Sequence, residues 1–129
     1  MISGDRSLSV GKRGAFWYTL EELHRHWDRI DVICPRAQGS APSPFPNVFL
    51  HPSPHGLLRQ SAWITKRGGE LIAEHHHDVM TVQEYPPFYN GRGARMLSST
   101  YRIPTVLEVH HIVGAPCAAS VFEWVGRML

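Results

Sequence analysis

Short apolar runs, each cut off by a turn-forming residue, alternate along this chain with longer stretches at helical spacing. That alternation confines it to an α/β layout with a mostly parallel sheet. The runs are residues 1–3 before Gly4, 31–34 before Pro35, 48–50 before Pro52, 78–82, and 103–109 with Pro104 at its start. A strand is usually about 5 residues long, so the first run is clipped. Between the runs, helices are predicted over 16–27, where Phe16, Leu20, Leu23 and Trp27 form a stripe, and over 57–74, 94–101 and 118–129. The Gly68-Gly69 pair weakens the second helix by about 1 kcal/mol per glycine and predicts a kink or break there. Residues 37–46, with Pro42, Pro44 and Pro46, are a loop, and 85–93 is rich in turn residues.

Five strands with crossover helices make a single Rossmann-like domain spanning residues 1–129. Right-handed crossovers favour a five-stranded sheet in the order 3-2-1-4-5. In such a sheet, ligands bind beyond the carboxyl ends of the strands.

Charge narrows the function. Thirteen Lys and Arg against eleven Asp and Glu leave +2, and the cations are scattered from Arg6 to Arg127. Nucleic-acid binders and proteins of anionic membranes concentrate basic charge, so neither class is expected. No run approaches the roughly 18 apolar residues of a membrane span. The polar start at Ser3-Gly4-Asp5 is unlike a secretory signal. The two cysteines, Cys34 and Cys117, read as buried small residues in a reduced, cytoplasmic protein, with peripheral membrane attachment left open.

The carboxyl-edge rule selects three segments. In the first, Gly11 and Gly14 let backbone amides approach a phosphate while Lys12 and Arg13 offer positive charge; a solvated turn is the equal alternative. In the second, Tyr85, Phe88 and Tyr89 sit on a proline-stiffened loop suited to stacking on a ring. Glu84 and Asn90 there can orient a ligand by hydrogen bonds. Alternatively, Tyr85 and Phe88 cap the core. In the third, His110 and His111 end the last strand, where an imidazole can donate to a phosphate or hydroxyl; extended, only one of them faces the cleft.

The run His75-His76-His77-Asp78 invites a zinc reading. Zinc ligands must converge, and three consecutive histidines do not converge unaided. The run also falls at the amino edge, so it reads as a solvated helix end, and no metal is expected.

The ordered segments Ile2-Ser3-Gly4-Asp5 with the Gly11 to Gly14 loop, Asp31-Val32-Ile33-Cys34-Pro35, Asp78-Val79-Met80-Thr81-Val82-Gln83, Phe88-Tyr89-Asn90-Gly91-Arg92-Gly93-Ala94 and Pro104-Thr105-Val106-Leu107-Glu108-Val109-His110-His111 carry a resemblance. Together they resemble the N-terminal half of GT-B-fold glycosyltransferases, the retaining family 4 group, over residues 1–129. The resemblance implies an acceptor-side domain whose partner Rossmann domain binds a nucleotide-sugar. It places Gly11, Lys12 and Gly14 near the donor diphosphate and His110 against the transferred sugar as the catalytic residue. Glu84, Tyr85, Phe88, Tyr89 and Asn90 would hold the sugar acceptor, and no metal or other cofactor is implied.

The paired glutamates of the family's C-terminal half, eight positions apart, have no counterpart in this sequence. The expectation is therefore a domain inactive alone, completed by a separate donor-binding chain. The apolar 118–129 segment suggests self-association as well. The contrasting expectation is a non-catalytic module that holds a sugar or nucleotide.

Overall fold

A computed structural model describes residues 1–36, 42–84 and 88–109. The predicted helix over 118–129, Cys117, Tyr85, His110 and His111 lie outside them.

Strands β1 (Ile30–Cys34) and β2 (Val48–Pro52) pair in parallel, Ile30 opposite Val48. Strands β3 (Met80–Glu84) and β4 (Thr105–Val109) pair in parallel, Met80 opposite Thr105. The architecture is thus two 2-stranded parallel sheets, and the expected five-stranded sheet in the order 3-2-1-4-5 is not formed. The cause is the clipped first run. Only Ile2 of residues 1–3 makes bridges, one to Ile33 and one to Val82. Its backbone donates to Thr81 O at 2.8 Å and accepts from Gln83 N at 2.9 Å, while Ser3 N donates to Ile33 O at 2.9 Å. One residue is too short to be a strand.

Helices fill the connections. Helix α1 (Arg6–Ser9) forms in what read as a pure loop, because Asp5 caps it by accepting from Ser7 N at 2.7 Å. Gly11 closes that turn in the left-handed region, φ 76°, where glycine carries no steric cost. Helix α2 (Ala15–Leu23) buries Phe16 and Leu20 but stops before Trp27, which is exposed.

A 3₁₀ turn (Leu57–Arg59) leads into α3 (Gln60–Glu74), and α3 runs unbroken through Gly68 and Gly69. Tertiary packing overrides the propensity penalty: a side chain at Gly68 would run into Leu97, and one at Gly69 would meet the Tyr101 hydroxyl. Helix α4 (Tyr89–Tyr101) starts five residues earlier than the predicted 94. At Gly93 an added Cβ would sit 2.7 Å from Ile64 Cγ2 and 3.0 Å from the Ser61 carbonyl, so this glycine sets how closely α4 crosses α3.

Two apolar clusters hold the fold. One gathers Ile2, Ile33, Ile64, Leu71, Met80, Val82, Ala94, Leu97 and Ile103. The other gathers Leu8, Phe16, Leu20, Ile30, Val32 and Val48 beneath α2. Among the described residues, no helix is long and apolar enough to cross a membrane.

Candidate functional site at the carboxyl edge, and a charged centre opposite

Every strand pairing is parallel, so Ser3, Cys34 and Glu84 end their segments at the same edge. Ser3 Oγ donates to Gln83 Oε1 at 2.7 Å and accepts from Asp5 N at 3.1 Å. The Asp5 carboxylate also receives the Ser7 hydroxyl, and Gly14 packs against both, its Cβ position 3.4 Å from Asp5 Oδ2. On the other flank Asn90 Nδ2 donates to the Gln83 carbonyl at 2.9 Å. Gly91 N donates to Glu84 Oε2, setting a carboxylate at the N-terminus of α4, where the helix dipole favours it. A side chain at Gly91 would collide with that carboxylate.

Contacts therefore run without a gap from Gly14 through Asp5, Ser3 and Gln83 to Asn90. The structure brings together Gly14, Glu84 and Asn90 from the predicted set. Lys12 is exposed, its backbone amide bonded to Ser7 O at 2.9 Å. The Arg13 guanidinium lies 4.5 Å from the Trp17 ring centroid, stacked on it.

Between β3 and α4, Phe88 stands in the left-handed region at φ 65°, ψ 29°. A bulky residue there costs roughly 1–3 kcal/mol and persists only where its surroundings over-determine it. Both Phe88 and Tyr89 are half-buried and Asn90 is buried.

Cys34 is buried at this same edge, and burial, helped by the Asp5 charge, pushes its thiol up to about 12. A thiol so held is not a nucleophile. Iodoacetamide at pH 8 is expected to leave Cys34 unmodified in the folded protein and to label it in urea. Labelling of Cys34 at equal rates in both conditions would refute this.

Sequence reasoning missed a centre at the opposite, amino edge. Asp31, 4 % exposed, faces inward from β1, whose residues are all buried. Its Oδ2 receives Arg29 Nε at 2.7 Å and His77 Nε2 at 3.0 Å. Its Oδ1 receives Arg29 Nη2 at 3.0 Å and His51 Nε2 at 2.8 Å. Burial opposes ionisation of Asp31, but the hydrogen bonds from His51, Arg29 and His77 and the Arg29 charge outweigh it. The carboxyl is held well below the usual carboxylate range. So of the run expected as a solvated helix end, His76 and Asp78 are exposed, whereas His77 is folded inward.

The signal was Asp31 itself, a charged residue inside an otherwise apolar strand, which needs buried partners. Among the described residues, no group of three or more His, Cys, Asp or Glu is placed to hold a metal ion. Beside the centre, Trp27, Asp28, Arg29, His76, His77 and Asp78 line a cleft of about 390 Å³.

Compared with protein-family models, with curated proteins and with solved structures, the chain matches none.

Proposed function

We propose that this chain is the acceptor-side domain of a sugar-transferring enzyme, acting with a domain that binds the nucleotide-sugar donor and inactive without it. The observation that carries the reading is the left-handed Phe88 between Glu84 and Asn90. Backbone strain gathers at ligand clamps, and here it holds two aromatic rings and a buried amide at the carboxyl edge of a parallel sheet. Aromatic faces with a few fixed polar groups are the chemistry that recognises a sugar ring. Gly14 lies on the same rim against Asp5 and Ser7, but the amides of Ser7, Val10, Gly11 and Lys12 there are bonded internally, so the donor phosphate is left to the second domain.

The test titrates simple glycosides into the ¹⁵N-labelled chain, then adds nucleotide-sugar with and without a separately expressed donor-binding domain. Shifts confined to residues 84–94 and 3–14, transfer only in the presence of the second domain, and binding weakened about tenfold in Asn90→Ala are expected, since that change removes the bond pinning the start of α4 to Gln83. Transfer by the chain alone overturns the claim of inactivity. Binding without transfer in the completed mixture favours a non-catalytic sugar-holding module, and no binding at all rejects the site.

A further inference from the structure

Among the described residues, four buried side-chain polar atoms have no hydrogen-bond partner: Nε2 and Oε1 of Gln60, Nε1 of Trp63 and Oγ1 of Thr81. The first three belong to residues three apart at the start of α3, where positions i and i+3 are neighbours on the helix surface. Gln60 opens the helix and is 1 % exposed. It lies one turn ahead of Ile64, on the stripe that packs into the cluster with Ile33 and Val82, which places it over the carboxyl ends of β1 and β3. The next residue, Ser61, donates through Oγ to the Tyr89 carbonyl at 2.7 Å. That bond ties this turn to the start of α4, and so to Asn90 and Glu84.

Other buried polar side chains of this edge are spent within the fold. Ser3 bonds Gln83, Asn90 donates to the Gln83 carbonyl, Glu84 accepts from Gly91, and Ser53 exchanges bonds with the His55 backbone. Gln60 is buried with both ends of its amide unspent. Such a group has given up water and received nothing for it, which burdens the folded state. A ligand that bonds the amide recovers that loss on binding.

Donor and acceptor arithmetic selects the ligand's chemistry. The turn offers N–H groups from Gln60 and Trp63 and a carbonyl oxygen from Gln60. A carboxylate or phosphate would bond the N–H groups but leave Oε1 facing negative charge. An ammonium would bond Oε1 but leave both N–H groups facing positive charge. Two neighbouring hydroxyls, one accepting and one donating, match an amide edge, and being uncharged they enter a buried place without a counter-ion.

We propose that Gln60, with Trp63 beside it, is a substrate-binding residue that reads a pair of adjacent hydroxyls on the sugar held at the carboxyl edge. This rests on the sugar-handling reading above, and within it narrows the acceptor to sugars that carry a vicinal diol. Gln60 forms the floor of the edge, and the ligand reaches it by displacing the side chains above it.

Gln60→Met keeps the unbranched shape and removes the unpartnered amide, which separates this role from a structural one. Its urea-unfolding midpoint is expected to equal or exceed that of the natural chain, because an apolar group replaces a polar one that had no partner. Its affinity for methyl α-glucoside and methyl α-mannoside, followed by backbone ¹⁵N shifts of residues 84–94, is expected to fall about tenfold, the effect of losing two neutral hydrogen bonds. In the natural chain the Gln60 side-chain NH₂ signals should move on adding either glycoside. They should also move with trans-cyclohexane-1,2-diol and stay in place with cyclohexanol. Glycoside shifts at 84–94 with the Gln60 signals unmoved, or an unchanged affinity in Gln60→Met, overturn this assignment and leave the sugar-handling reading standing. A clear loss of stability in Gln60→Met shows the amide to be partnered within the fold and overturns it as well. Absence of binding by both glycosides rejects the reading and the assignment together. Should Gln60→Met not fold, the side-chain signals of the natural chain decide.

Discussion

Asp31→Asn is expected to lower the free energy of unfolding by about 3–5 kcal/mol, the cost of removing one partner from a buried ion pair. The carboxylate accepts four N–H groups, two from Arg29 and one each from His51 and His77. An asparagine keeps the shape but turns one acceptor oxygen into an NH₂, which then points at donors. Two bonds are lost, and the Arg29 charge loses its counter-ion. Urea unfolding at pH 7 measures the loss, and a decrease under 1 kcal/mol would show the network to be ornamental. The natural chain should also be acid-sensitive in a definite direction. The Asp31 carboxyl is held below its unfolded-state value near 3.9, so its stabilisation is fully present above that pH. As pH falls below about 4 it is progressively lost, down to the depressed folded-state value.

Ile64→Ala is expected to cost about 2–5 kcal/mol, towards the upper end because little can collapse into the space. Ile64 is 0 % exposed on α3 and packs in the cluster with Leu97, Ala94, Val82 and Ile33. Its Cγ2 lies against Gly93, where the α3–α4 crossing is closest. Helix α4 could move inward only by driving Gly93 onto the Ser61 carbonyl, 3.0 Å from its Cβ position. Thermal and urea unfolding of Ile64→Ala beside a surface control such as Leu58→Ala, at an exposed site, measures the difference. Equal losses would mean that the two helices do not form a rigid pair.

Much of the layout was legible because burial writes itself into short chain segments. Val32, Ile33 and Cys34 announce a strand buried on both faces, and β1 is buried throughout. The helical stripe of Phe16 and Leu20 likewise locates α2. What failed depended on distant partners. The first run read as a short strand, but only Ile2 finds neighbours, so a continuous sheet does not form. The Gly68-Gly69 pair read as a break because its local cost is visible and the Leu97 and Tyr101 side chains packed on it are not. At the carboxyl edge, Glu84 and Asn90 were identifiable by type and position. The strain at Phe88 and the cap at Gly91 belong to backbone geometry, which no residue count displays. The amino-edge centre was read backwards, because His51 and His77 are 26 positions apart and share only Asp31.

The seam at Ile2 has a mechanical meaning. Four backbone bonds, from Ile2 to Thr81, Gln83 to Ile2, Ser3 to Ile33 and Ile33 to Met1, hold one pair of strands to the other across a single residue's width. Among the described residues these are a single row of backbone bonds, which by itself leaves the angle between the two strand pairs unset. The angle is set instead by what packs around it: Ile33 of β1 shares one apolar cluster with Met80 and Val82 of β3, Asp31 of β1 holds His77 ahead of β3, and α3 reaches β2 through Arg67 and His51, so the rim is braced by side chains where backbone bonds are few.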